Sequence, residues 1–295
     1  MDRDPVRVLV VGASGKFAGL VVPELRQRGA LVRALVRDPQ REGAARAAGA
    51  HETVSGDLRD PASLDRALAG VDGVFLLGPA FAHDEAAMGV AMVEAAQRAG
   101  VRKVVFSSVI QPTCTRLKNH ASKIPVEEAL YASHLQYTIL QPANFMQNIG
   151  LAWPAVLRHG VFAEPFPNET RIARVDYRDV AELAAVALTE DRLAYATLEL
   201  SAGMLNRVEV AAIMSEHLGR PVAAAELSFD EWARLANLPY RGEQLEMLAA
   251  VHEHYRRFGL GGNALVLTAA LGREPRSVRQ YIQGLARSPV GASTV

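Results

Sequence analysis

Val8-Leu-Val-Val-Gly12-Ala-Ser-Gly15-Lys-Phe-Ala18-Gly19 decides how this chain is read. Four apolar residues in a row predict a strand buried on both faces, and the glycines after them predict a tight turn into a helix. Gly12 can take a positive φ without steric cost. A bare Gly15 lets an anion reach the backbone, where free N–H groups and the dipole of the new helix favour negative charge. Ala18, with Gly19 beside it, holds the third position of the pattern, where a small residue lets helix and strand lie close. Glycine serves any tight strand-to-helix turn, so the spacing alone is weak. Here it follows an apolar strand and precedes helical periodicity from Leu20 to Arg28. That context points to a dinucleotide-binding turn, with a merely structural turn as the alternative. Pro23 sits awkwardly in the predicted helix, because it removes a backbone donor.

Composition narrows the field. A chain of 295 residues, 49% hydrophobic, can bury a sizeable core, and no apolar run is long enough to span a bilayer. The opening Met-Asp-Arg-Asp-Pro has no apolar stretch of the secretory kind, so a cytoplasmic location is expected. The 32 basic and 32 acidic residues cancel, which gives no electrostatic argument for nucleic acid or an anionic membrane. Cys114 is the single cysteine, which excludes an intrachain disulfide framework and a cysteine-rich zinc site. Lysine occurs only at Lys16, Lys103, Lys118 and Lys123, and arginine supplies the remaining basic residues. With heavy alanine use, this bias suggests a GC-rich bacterial genome.

The chain then alternates. Leu31–Val36 predicts a second strand ending at Arg37-Asp38-Pro39, which in a dinucleotide fold faces the adenine ribose. Arg37 suits a 2′-phosphate and so favours NADP(H) over NAD(H), with Lys16 or Arg41 as helpers. A solvated loop arginine is the alternative, and Asp38 complicates the reading because its carboxylate could take the ribose hydroxyls instead. A helix through Ala50 leads to Thr53-Val-Ser-Gly-Asp57-Leu58. Asp57 is placed either near the adenine edge or as the N-cap of a helix over 61–68. Val71–Leu77 predicts a strand that ends at Gly78-Pro79, where bare backbone could pass the cofactor. After an alanine-rich helix over 84–100, Val101–Ser108 predicts a strand with Ser107 and Ser108 at its carboxyl end, where open parallel sheets bind ligands. The strand–helix alternation implies a doubly wound α/β fold with right-handed crossovers.

Next come Lys118-Asn-His120-Ala-Ser-Lys123-Ile-Pro-Val-Glu127-Glu128-Ala-Leu and Tyr137-Thr-Ile-Leu-Gln141-Pro-Ala-Asn144-Phe-Met. A strand ending in Ser-Ser, then His-x-x-Lys on a helix, Glu one turn on and Tyr-Thr-Ile-Leu-x-Pro-x-x-Phe-Met-x-Asn resembles the NmrA-like family. This atypical short-chain dehydrogenase group includes quinone reductases, triphenylmethane dye reductases, isoflavone-reductase-like enzymes and cofactor-sensing regulators. The likeness covers roughly residues 6 to 190 and extends loosely to Leu271-Gly-Arg-Glu-Pro-Arg-Ser-Val. It implies that Gly12, Ser14, Gly15 and Phe17 contact the pyrophosphate and Arg37 the adenosine end. It further implies that Gly78 and Ser107 flank the middle of the cofactor and that Lys123 reaches the nicotinamide ribose. In the isoflavone-reductase-like branch, the matching lysine is also an acid–base candidate.

The chain departs from ordinary short-chain dehydrogenases where Tyr-x-x-x-Lys needs its tyrosine. Asn119 stands four residues before Lys123, and an amide cannot donate a proton to a developing alkoxide as a phenol can. Tyr131, Tyr137 or Lys123 would have to substitute, and His120, three residues before Lys123, is a further candidate acid. The alternatives are a partly exposed loop histidine and a surface lysine paired with Glu127 at i+4. Ser108, Gln141 and Asn144 are substrate-side candidates, although the last two could instead satisfy loop backbone groups.

The remainder predicts a smaller mixed lobe. Gly160–Thr170 is expected as a loop walling a pocket, and Asp179 as the cap of a helix running to Leu188. Asn206 is expected to cap the next helix, which runs to Leu218. Trp153, Phe162, Trp232, Tyr240 and Tyr255 are candidates for shaping an apolar pocket, or for core packing. His252-Glu-His254 is poorly spaced for a metal, since residues two apart on a helix face different ways. The organisation is therefore a Rossmann-type domain over 1–150, with 174–200 returning to it. A substrate lobe takes 151–173 and 201–287, and a loose tail 288–295. The expected function is hydride transfer from NADP(H), or NAD(H), to a small aromatic or quinonoid molecule, such as an anthraquinone-type natural product under tailoring. An oxygen-inserting step at the same site, or a NAD(P) sensor acting through a protein partner, are the rivals. An epimerase is disfavoured by the missing tyrosine. No metal, nucleic acid or membrane partner is expected, and a homodimer is open.

Overall fold

Val8, Leu9 and Val10 are fully shielded in the structure, a computed structural model that describes residues 4–287. The expected tail over 288–295 lies outside the described residues. In chain order the first elements are β1 (Arg7–Val11), α1 (Val21–Gln27), β2 (Leu31–Val36), α2 (Glu42–Ala47), β3 (Glu52–Ser55), α3 (Pro61–Leu68), β4 (Gly73–Leu76), α4 (Glu85–Arg98), β5 (Lys103–Ser107), α5 (Lys118–Ala121), α6 (Ile124–Tyr131) and β6 (Gln136–Pro142). There follow β7 (Asn144–Phe145), α7 (Ile149–His159), β8 (Val161–Glu164), β9 (Ile172–Val175), α8 (Tyr177–Thr189), β10 (Ala196–Leu200), β11 (Met204–Leu205), α9 (Arg207–Leu218), β12 (Ala223–Glu226), α10 (Phe229–Leu235), α11 (Glu243–Phe258), α12 (Leu265–Leu271) and α13 (Val278–Arg287).

Seven strands form one sheet in the order β10-β6-β5-β4-β1-β2-β3, and every pairing from β6 through to β3 is parallel. The direction of strand succession reverses between β1 and β4, which is where open α/β sheets leave a crevice at their carboxyl ends. Leu9, Val74, Leu76, Phe106 and Ile139 from the strands pack with Leu64, Met92, Val126 and Leu130 from the helices. A Cβ on Gly89 would lie 2.4 Å from Val126 Cγ2, so glycine is what allows α4 and α6 to touch. Lys103 is buried within β5. Its ammonium donates to the carbonyl oxygens of Ala187, at 3.1 Å, and of Glu190, a favourable place for a cation at the carboxyl end of α8.

The chain divides into two compact units, residues 4–141 with 180–198, and 142–179 with 199–287. The second holds a three-stranded sheet, β11-β9-β7, and a parallel pair of β12 and β8. Several expectations change at this point. The stretch 160–170 is not all loop, because Val161–Glu164 pair with Ala223–Glu226 as β8. Pro23 is accommodated: α1 begins only at Val21, so the missing N–H falls in the first turn, where proline is tolerated. Asp179 does not cap α8. Asp176 does so, accepting the Arg178 N–H at 3.0 Å, and Gln147 braces it by donating to Asp176 at 2.8 Å and accepting the Tyr177 N–H at 3.0 Å.

Asp179 is fully buried and instead accepts the Arg276 N–H at 2.7 Å and the guanidinium groups of Arg273, at 2.8 Å, and Arg276. The Gly-Arg-Glu-Pro-Arg segment is thereby tied to the start of α8. Asn206 caps α9 as expected, accepting the Glu209 N–H at 2.9 Å while Glu209 answers on the Asn206 N–H.

His252 illustrates what a residue pattern does not show. Its ring stacks on Phe166 and lies 4.4 Å from the Trp232 centroid, with Phe229 and Tyr255 also against it. Phe162 and Trp153 belong to a different cluster, with Met146 and Met214. Burial pushes the His252 imidazolium down to about 4, and Glu164 only partly offsets this. A histidine neutral in the folded state and ordinary in the unfolded state makes unfolding take up a proton as the pH falls below about 6.5. Stability should therefore drop by an additional amount on the order of 3 kcal/mol between pH 6.5 and 4. Urea unfolding of His252→Phe across that window should show a shallower fall than the parent chain. Equal slopes would mean that His252 is not held neutral.

Candidate functional site

The glycine turn has the geometry its residues require. Gly12 adopts φ +82°, and a Cβ there would lie 3.3 Å from Ala18 Cβ. The Gly15 N–H donates back to the Gly12 carbonyl at 2.8 Å, closing the turn. A short 3₁₀ turn at Ala18–Leu20 comes before α1. Ser14 and Phe17 lie in this turn, and the Lys16 ammonium sits 5.9 Å from the Phe17 ring centroid. Burial pushes Lys16 below the usual lysine value. These observations fit a dinucleotide pyrophosphate. Gly12 holds a positive φ that a side chain would strain, and the charged side chain of the cradle is a partly desolvated cation.

Arg37 is exposed beyond the carboxyl end of β2. Asp38, the competitor for the ribose, accepts the Gln40 N–H on its Oδ1 at 3.0 Å and caps the turn at Pro39–Arg41. Asp57 lies beyond β3, and its Oδ1 accepts the Arg59 N–H at 2.9 Å. It is not the cap of α3. Asp60 is, accepting from the Ala62 N–H at 3.1 Å, because the helix begins at Pro61 and needs its acceptor one residue earlier.

Two buried acidic groups organise the rest of the first unit. Glu85, the first residue of α4, forms an ion pair with Lys123 and accepts from Ser122 Oγ at 3.1 Å. A Cβ on Gly78 would lie 3.0 Å from Glu85 Oε1, so bare backbone at Gly78 admits this carboxylate. Lys123 is thus neither a surface residue nor the partner of Glu127. It is buried at the start of α6 and held from α4. Glu127, one turn further, accepts from Ser108 Oγ at 2.5 Å and from Gln141 Nε2 at 3.0 and 3.2 Å. The side chains at the carboxyl ends of β5 and β6 therefore share one carboxyl group. Ser107 is fully buried at the end of β5. His120 is not a partly exposed loop residue: it lies in α5 at 2% exposure, with Nδ1 3.1 Å from the Gln111 carbonyl oxygen. Asn119 Oδ1, at the position of the missing phenol, is buried without a hydrogen-bond partner.

Asn144 belongs to the second unit. Its Oδ1 accepts from Arg174 Nη1 at 3.0 Å, and its side chain also bonds the Tyr255 hydroxyl. Neither Gln141 nor Asn144 serves loop backbone; Gln141 is set by the Glu127 carboxyl and Asn144 by the Arg174 guanidinium. Arg174 also donates to both oxygens of Glu164 at 2.9 Å. Burial would push the Glu164 carboxyl up, but Arg174 and Arg207 outweigh it and hold the group below the usual carboxylate range. The sequence carried no signal for Glu85, Glu164 or Arg207, which stood in it as ordinary charged residues.

A parallel sheet with this reversal, a glycine turn beyond β1 and a buried lysine near the ends of β4 and β5 defines a dinucleotide-binding protein of the Rossmann class. The profile of the NmrA-like family matches residues 5–282. The chain belongs to the NmrA-like family. It is 33% identical to an NAD(P)H azoreductase of Xenophilus azovorans over 76% of this chain and 78% of that one. It is 35% identical to a (4-alkanoyl-5-oxo-2,5-dihydrofuran-3-yl)methyl phosphate reductase of Streptomyces griseus, again over 76% of this chain and 78% of that one. In fold it matches the NADPH-dependent quinone oxidoreductase QOR2 of Escherichia coli in complex with NADPH. The TM-score is 0.81 at 24% identity, over 94% of this chain and 99% of that one. Among the described residues no helix is long and apolar enough to cross a membrane.

Proposed function

We propose that this chain is an NAD(P)H-dependent reductase that delivers hydride to a small, flat, aromatic or quinonoid acceptor. The observation that carries the reading is the glycine turn after β1 in the same unit as a buried, carboxylate-held Lys123. The reductase names of the two sequence relatives support it. Bound dihydronicotinamide would supply the hydride. The Gly12–Gly15 backbone and Ser14 would bind the pyrophosphate, with Lys16 and Phe17 beside it. Arg37 would take the 2′-phosphate, a preference for NADPH supported by the commitment of Asp38 to its own turn. Asp57 would lie along the adenine. Gly78 and Ser107 would lie along the middle, with Lys123 at the nicotinamide ribose. Ser108 and Gln141 are assigned to the substrate side, His120 to positioning α5 before Lys123. An anthraquinone-type natural product is one acceptor of this class.

Oxidation of NADPH and NADH by the purified protein over quinones, azo dyes and cationic dyes tests the assignment. Acceptor-dependent turnover is expected. Arg37→Ala should raise the Kd for NADPH about tenfold, the loss of one charge-assisted contact, and leave NADH within about threefold. Tight binding without turnover would favour a NAD(P) sensor acting through a protein partner. No binding of either cofactor would defeat the reading.

A further inference from the structure

We propose that Ser108 and Glu127 form the proton-delivering pair of this reaction, in the part that a tyrosine plays where Asn119 stands; the proposal rests on the reductase reading above. Ser108 lies one residue beyond β5, at the ligand-facing end of the sheet. Its Oγ is 2.5 Å from Glu127 Oε1, a close O–H···O hydrogen bond in which either oxygen can carry the proton. Glu127 is buried at 7% exposure, and the donors on its carboxyl, Ser108 and Gln141, are both neutral. Lys123, four residues earlier, is committed to Glu85, which Ser122 also holds.

This arrangement has two proton positions that need no movement of heavy atoms. With Glu127 ionised, the Ser108 hydroxyl donates to it. With Glu127 protonated, the carboxyl donates to Ser108 Oγ, and the serine hydrogen is free to point away from Glu127. Gln141 donates to the carboxyl in both states and fixes its plane. In the step itself the acceptor gains a hydride, two electrons and one hydrogen nucleus, while the dihydronicotinamide is oxidised. As the heteroatom of the acceptor gains negative charge, the Ser108 O–H bond breaks and its proton moves to that atom. The Glu127 carboxyl proton moves to Ser108 Oγ in turn. The products are oxidised cofactor, protonated reduced acceptor, intact Ser108 and a Glu127 carboxylate, which regains its proton from solvent before the next cycle.

The acceptors themselves separate this role from a structural one. A quinone must gain a proton with the hydride to become a hydroquinone, whereas a cationic triarylmethane dye becomes neutral by hydride alone. Ser108→Ala and Glu127→Gln should each lower quinone turnover about 10²-fold, the lower range for a general acid. Their loss on the dye should be at least about tenfold smaller than on the quinone, and the fluorescence-measured Kd for NADPH should stay within about threefold. Infrared difference spectra of the protein without acceptor, parent chain against Glu127→Gln, should contain a carboxylic-acid C=O band that the parent chain alone shows. Equal losses on quinone and dye would make the pair structural and overturn the proposal. So would unchanged quinone turnover, or no acid band at any pH where quinone turnover persists. If the parent chain reduces neither acceptor, the reductase reading fails and the pair falls with it. If it reduces both, only the pair is on trial.

Discussion

Arg207→Met is expected to destabilise the protein by about 3–5 kcal/mol, the cost of breaking a buried ion pair from one side. The Arg207 side chain is fully buried beneath α9. Its guanidinium donates to Asn168 Oδ1 at 2.6 Å and to the carbonyl oxygens of Ala225 at 2.9 Å and Phe166 at 2.7 Å, and it lies 4.7 Å from the Phe166 ring centroid. Methionine would remove the Arg207 donors from those three acceptors and one of the two cations beside Glu164. Arg171 is the control. It pairs with Glu209 at 3.3 Å with half of its side chain exposed, so Arg171→Met should cost no more than about 1 kcal/mol. Urea unfolding of both variants checks the contrast. Equal losses would show that Glu164 and its neighbours do not depend on Arg207.

The second large effect concerns Lys123, whose removal also exposes the cost of Glu85. Lys123→Met should destabilise by about 3–5 kcal/mol, because it leaves a carboxylate at 4% side-chain exposure without its cation. Replacing the pair together, as Lys123→Met with Glu85→Gln, should recover most of that loss and leave a deficit of no more than about 1.5 kcal/mol. A double-mutant cycle by urea unfolding measures it. The double variant is also the proper background for asking what Lys123 does for the cofactor, since activity lost in Lys123→Ala alone would mix chemistry with instability. If the single and double variants are equally destabilised, the pair is not the reason for the burial of Glu85.

Much of the first unit was legible because its cues are local. Apolar runs at Val8–Val11 and Leu31–Val36 and the apolar stretch within Val101–Ser108 name their strands, and Gly12 names its turn, since each depends on neighbours within a few residues. Caps were less legible. Asp57 and Asp60 both precede Pro61, as Asp176 and Asp179 both flank the start of α8, and composition does not say which carboxylate meets the helix N–H groups. Tertiary contact decided: Asp179 was taken by Arg273 and Arg276, nearly a hundred residues on. The pairing of Lys123 went the same way. Spacing offered Glu127 at i+4, but packing of α4 on α6 through Gly89 brought Glu85 to it instead, and left Glu127 to Ser108 and Gln141.

By itself, then, the sequence determined the doubly wound α/β class, the glycine turn, the placement of Arg37 and the likeness to the NmrA-like family. Periodicity and turn chemistry act over short chain distances, and those features use nothing else. Only the tertiary structure decided which carboxyl group meets which cation or hydroxyl, and that Arg207, Glu164 and His252 are buried. A charged residue in a sequence looks the same whether water or another chain segment solvates it, and the difference arises when distant elements close over it.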